Sequence, residues 1–120
     1  MKTLNHDALV AQLQRWAKNH SPHVKAAVTL LVEHDYWLRR TAFITAAVMP
    51  ASDGVYIMWR KAREAFDAGE FDRASTSEHA VLDLAISLGE DRFKLTNMGQ
   101  FHARIMAVAF AEALAVAVVR

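Results

Sequence analysis

The chain contains no cysteine, only two prolines and four glycines in 120 residues, no excess of either charge and no long apolar run. Without cysteine there is no disulfide scaffold, no thiolate metal site and no thiol nucleophile, as expected of a chain in a reducing, cytoplasmic compartment. Fourteen basic side chains against thirteen acidic ones leave a net charge of +1, so the whole molecule is not an electrostatic magnet for nucleic acid. Ile105–Val119, the most apolar stretch, is interrupted by Glu112 and falls short of the roughly 20 residues a bilayer span needs. It reads as a buried helix, and no membrane partner is expected. The opening residues Met1–Asp7 run straight into an amphipathic pattern with Gln12, Gln14 and Arg15, where a secretory signal would place an apolar core; none is expected.

What is present is globular: 53% hydrophobic and 22% charged residues, with no repeat, low-complexity tract or dividing linker. The expectation is a single helical domain over residues 1–120. Asn5 is a good N-cap for a first helix, in which Leu9, Leu13, Trp16 and His20 recur at helical spacing before a stop near Asn19. Ser21-Pro22 restarts the chain as N-cap and first helical residue, and Val24, Ala27, Val28, Leu31 and Val32 form one stripe ending near His34-Asp35. A third helical segment is expected over about Leu38–Ala47. Pro50-Ala-Ser-Asp-Gly54 is the strongest turn signal; it separates two β-forming runs and predicts a short hairpin within residues 46–58.

Helix returns over Trp59–Ala68, with Ala62, Ala65 and Phe66 inward, Arg60, Lys61, Arg63 and Glu64 outward, and Gly69 as C′ residue. Ser75-Thr-Ser-Glu78 is a capping box opening a helix that ends at Gly89. Thr96 or Asn97 caps a last helix running to about Val118. Phe101, Ile105, Val108, Ala109 and Glu112 lie on one of its faces, and Met106, Phe110, Ala113 and Leu114 on another. A helix apolar on more than one face is surrounded, by its own domain or by a second subunit. The fold class predicted is therefore mainly α, a bundle of five or six helices with one inserted hairpin.

No constellation carries chemistry. The six histidines are spread along the chain, and His34 lies about 16 Å of helix beyond His20-x-x-His23, so no ligand set for a metal converges. No serine sits in a nucleophile elbow, no glycine-rich phosphate loop exists, and Glu78 beside His79 is occupied by its cap. Asp67, Glu70 and Asp72 surround a helix end and read as solvated. No catalytic residue, metal or cofactor is assigned. One basic group stands out. Helix, helix, helix, strand, turn, strand is the order of a winged helix, and residues 5–58 follow it, offering Arg39, Arg40 and Thr45 from the third segment and Arg60 beyond the hairpin. Against it, the turn that would form the wing carries Asp53 and no basic residue, and Trp37 reads equally as core with arginines at its rim.

Leu30-Leu-Val-Glu-His-Asp-Tyr-Trp-Leu-Arg-Arg-Thr-Ala-Phe43, Val55-Tyr-Ile-Met-Trp-Arg-Lys-Ala62 and Ser75-Thr-Ser-Glu-His-Ala-Val-Leu-Asp-Leu-Ala-Ile-Ser-Leu88 resemble a family of small uncharacterised helical proteins of actinobacteria, of unknown function. The resemblance covers roughly residues 25–115 and implies a bacterial origin. It supplies no functional residue.

The function expected is that of a non-catalytic helical interaction module binding a protein partner or itself. Met106, Phe110 and Leu114 are the self-association residues and a homodimer is the expected state. The alternative is a winged-helix-like DNA-binding regulator.

Overall fold

The computed structural model describes residues 4–95 and 98–116. It is mainly helical, with one two-stranded antiparallel hairpin. α1 (His6–Lys18) starts where the Asn5 side chain accepts the Ala8 N–H at 2.8 Å, and it ends at Asn19. α2 (Pro22–His34) has Ser21 as N-cap residue and Pro22 in its first turn, and it closes on Asp35 in the left-handed region at φ 55°. The third segment departs from the continuous helix expected. Trp37–Arg39 form a single 3-10 turn, Arg40 is extended, and α3 covers only Thr41–Ala47. The break follows from burial: Trp37 and Leu38 are taken into the core, while the Arg40 guanidinium stays outside over the Tyr36 ring, 5.1 Å from its centroid.

β1 (Val48–Ala51) and β2 (Gly54–Ile57) pair antiparallel with Val48 opposite Ile57. Their alternation puts Val48, Val55 and Ile57 inward. A two-stranded ribbon is marginal alone, and this one lies on α1, where the Arg15 guanidinium donates to the Asp53 carbonyl at 3.2 Å. α4 (Trp59–Asp67) ends before Gly69, whose φ of 80° is the left-handed C′ geometry that glycine adopts without strain. α5 (Thr76–Gly89) opens on the capping box: Ser75 Oγ accepts the Glu78 N–H, and the Glu78 carboxylate accepts the Ser75 N–H at 2.8 Å.

α2 against α5 is the principal helix pair. Around it Leu13, Val28, Leu31, Leu38, Phe43, Ile57, Leu82 and Ile86 are fully buried, each contributing roughly 1.5–3 kcal/mol of transfer free energy. Trp37 is buried too, edge-on to Phe71 and stacked on His79, and its Nε1 donates to the Glu78 carbonyl at 3.0 Å. The indole N–H is therefore satisfied, as a buried one must be. His79 holds the other side of this corner by donating from Nε2 to the Phe71 carbonyl.

Arg63 is not the outward basic residue that the helical pattern implies. Its side chain is only 17% exposed and reaches Asp83 at 2.8 Å, Glu90 at 3.4 Å and Asp67 at 3.8 Å, with the buried Ser87 hydroxyl at 3.1 Å. Two of those carboxylates belong to α5 and its end, so helical phase within α4 could not reveal them. α6 (Gln100–Leu114) begins after Gly99 and turns off at Ala115, which is left-handed at φ 57°. The caps expected at Thr96 or Asn97, and an end near Val118, lie outside the described residues.

Candidate functional site

α6 is where the molecule departs from ordinary packing. The chain leaves α5 through Asp91 and Lys94, both at φ 55°, and this stretch is anchored. The Arg92 N–H bonds the Ser87 carbonyl, Asp91 Oδ1 accepts the Leu95 N–H, and His23 donates from Nδ1 to the Leu88 carbonyl. Beyond it, none of the fifteen residues of α6 is buried. Phe101 is 72% exposed, Ile105 52%, Met106 37%, Phe110 46% and Leu114 64%. Exposed apolar residues scattered singly are ordinary; five on one fifteen-residue helix, grouped on two of its sides, are not.

The two sides of α6 differ. Met106, Phe110 and Leu114, the expected self-association residues, share a purely apolar side at i, i+4, i+8 spacing. On the other, Phe101, Ile105, Val108 and Ala109 line a shallow groove of about 560 Å³ together with Arg104 and Glu112. The apolar pattern does not single out Arg104; its signal is the opposite charge eight residues on.

The residues expected for nucleic acid are differently placed. Arg39 is tied to Asp35 at 3.0 Å, one turn earlier, and Arg40 lies on Tyr36. The Asp35 carboxyl is held below its ordinary pKa, first by the Arg39 hydrogen bond, with His6 at 3.1 Å adding to it. Thr45 lines an apolar groove of about 450 Å³ with Leu4, Ile44, Val48, Pro50 and Val55, and no basic residue lines it. α3 itself carries no basic residue. Arg60 is exposed on α4. The Ser52-Asp53 turn, which would be the wing, is tied to α1 by Arg15.

Arg63 and Glu78 are engaged in holding the fold. Burial works against the Arg63 charge, but the hydrogen bond and attraction of Asp83, with Glu90 behind it, outweigh burial and hold its pKa above the ordinary value. The Ser75 backbone N–H holds Glu78 below the usual glutamate value. Among the described residues no three His, Asp or Glu side chains converge as ligands for a metal ion, and no helix is long and apolar enough to cross a membrane.

No protein-family model, curated protein or solved structure matches this chain. Its function is therefore a question for the molecule's own surfaces.

Proposed function

We propose that the protein is a non-catalytic interaction module that binds protein through α6, forming a homodimer with a second copy of itself. The observation that carries this reading is that α6 exposes Phe101, Ile105, Met106, Phe110 and Leu114 together while burying none of its residues. An isolated helix of this length is marginal in water, and most helical stability comes from packing an apolar face. The chain's own core is filled by its other elements, so that packing must come from outside. Met106, Phe110 and Leu114 are contact residues on one side of the helix; Phe101, Ile105 and Val108 are contact residues on the other. DNA binding has weaker support, because Arg39 is already paired and the exposed side of α3 meets an apolar groove.

Sedimentation velocity over a hundredfold concentration range tests the reading. The wild type should be dimeric at micromolar concentration. Ile105→Asp combined with Phe110→Asp places an unpaired charge on each side of α6 and should yield monomer, since burying such charges is unfavourable by several kcal/mol. Because neither residue belongs to the core, the midpoint of thermal unfolding of the body should persist. A wild type that remains monomeric across the range rejects self-association.

A further inference from the structure

We propose that two copies of the chain pair through antiparallel α6 helices about a two-fold axis at Val108, setting Arg104 of each copy against Glu112 of the other. This rests on the self-association reading and narrows it to one face and one direction: the copies meet through the side of Phe101, Ile105 and Val108, and Met106, Phe110 and Leu114 lie on the far side of each helix.

Arg104 and Glu112 are the only Lys, Arg, Asp or Glu residues of α6, and both line the groove that holds Phe101, Ile105 and Val108. Neither forms an ion pair among the described residues. They cannot pair with each other, because eight residues separate them by about 12 Å along the axis. Their placement is symmetric: one lies four residues before Val108 and the other four after it, about 40° to either side at 3.6 residues per turn.

That symmetry makes the face complementary to itself in one direction only. A two-fold axis at Val108 reverses the second helix and brings its residue 112 level with residue 104 of the first. Two guanidinium–carboxylate pairs form, one at each end of the contact. The same operation sets Phe101 level with Ala115 and Ile105 level with Ala111, large against small, which lets the two backbones approach. In a parallel pair Arg104 would meet Arg104, Glu112 would meet Glu112 and Phe101 would meet Phe101. Like charges facing one another are unfavourable by several kcal/mol, so the parallel arrangement is rejected by its own charges. A closed, isologous contact of this kind ends at the dimer and leaves no open end to propagate. A lipid surface is a poorer occupant, since helices that lie on membranes carry a polar face rich in Lys and Arg, and α6 offers one arginine.

Charge reversal reads the geometry directly. Arg104→Glu and Glu112→Arg, tested separately by sedimentation, should each weaken the dimer by more than about tenfold, because each puts like charges at two levels of the contact. An equimolar mixture of the two variants, and the double variant R104E/E112R, should associate like the wild type. Far-ultraviolet circular dichroism of each variant checks that the body is folded. Because the chain has no cysteine, engineered thiols give a second readout: Phe101→Cys should crosslink to Ala115→Cys in a mixture and not to itself. Single reversals with wild-type affinity, or self-crosslinking of Phe101→Cys, overturn the antiparallel pairing while leaving self-association through α6 in place. A monomeric wild type overturns both.

Discussion

Gly89→Ala is a stringent test of how α4 and α5 are joined. Gly89 is the last residue of α5 and Trp59 the first of α4. A Cβ at position 89 would lie 2.2, 2.3 and 2.6 Å from Cδ2, Cε2 and Cε3 of the Trp59 indole. Carbon atoms in contact sit about 3.5–4.0 Å apart, so the ring would have to retreat by more than about 1 Å. It has little freedom to do so. The ring is rigid, and Trp16 packs beside it with centroids 6.5 Å apart. Two effects of opposite sign compete. Alanine in place of a helical glycine adds roughly 1 kcal/mol of helix propensity. Overpacking loses typically about 1–3 kcal/mol, and a rigid ring at this distance belongs at the upper end. Gly89→Ala should therefore destabilise by about 2 kcal/mol, read from urea unfolding followed by circular dichroism and tryptophan fluorescence. With Trp59→Ala already in place the obstacle is gone, propensity alone remains, and the same substitution should become neutral or stabilising. A Gly89→Ala single variant as stable as the wild type refutes the reasoning, and so does an equal loss in both backgrounds.

Further outcomes follow from two side-chain networks. Arg63→Met should destabilise by about 1–3 kcal/mol, because it leaves the buried Ser87 hydroxyl without its partner and three carboxylates without their cation. Thermal melts should show Arg63→Lys recovering only part of that loss, since an ammonium cannot span the same set of acceptors. Ser75→Ala removes the side-chain acceptor at the start of α5 and should lower stability by about 1 kcal/mol in the same assay. Glu78, held below its ordinary value chiefly by the Ser75 N–H, stabilises the fold above the ordinary glutamate range and loses that contribution as pH falls through its lowered value. Melting points of the wild type should therefore fall faster on acidification through that window than those of Glu78→Gln.

Local signals were legible because cause and effect lie within a few residues. The Asn5 cap, the Ser21-Pro22 restart, the turn within Pro50–Gly54 and the Ser75–Glu78 box each involve groups no more than four positions apart, and each stands where the sequence places it. What could not be read depends on partners distant in sequence. Arg63 has the pattern of an outward residue until α5 brings Asp83 and Glu90 against it. Gly89 has the pattern of a helix terminator until Trp59, thirty residues earlier, occupies the space of its missing side chain. The break at Arg40 has no sequence marker, because it arises from Trp37 and Leu38 entering a core assembled from other helices.

The last helix marks the boundary between these two kinds of information. Its period shows two apolar sides, but periodicity reports only that something must cover them, never what. The structure narrows the choice by filling the core without α6: α2 and α5 form the main pair, α1, α3, α4 and the hairpin close around them, and Phe43, Leu82 and Ile86 are already fully buried. The turn after α5 is anchored to that body, with the Arg92 N–H bonded to the Ser87 carbonyl and Asp91 capping Leu95, while no residue of α6 is buried. An isolated helix of this length is marginal, and the described body buries none of the residues of α6. If α6 pairs as proposed, its folding and its binding are one equilibrium, in which whatever strengthens the interface also stabilises the helix that forms it. The symmetric placement of Arg104 and Glu112 about Val108 matters for that reason: among the described residues of α6 it is the feature on which the proposed pairing with a second copy rests.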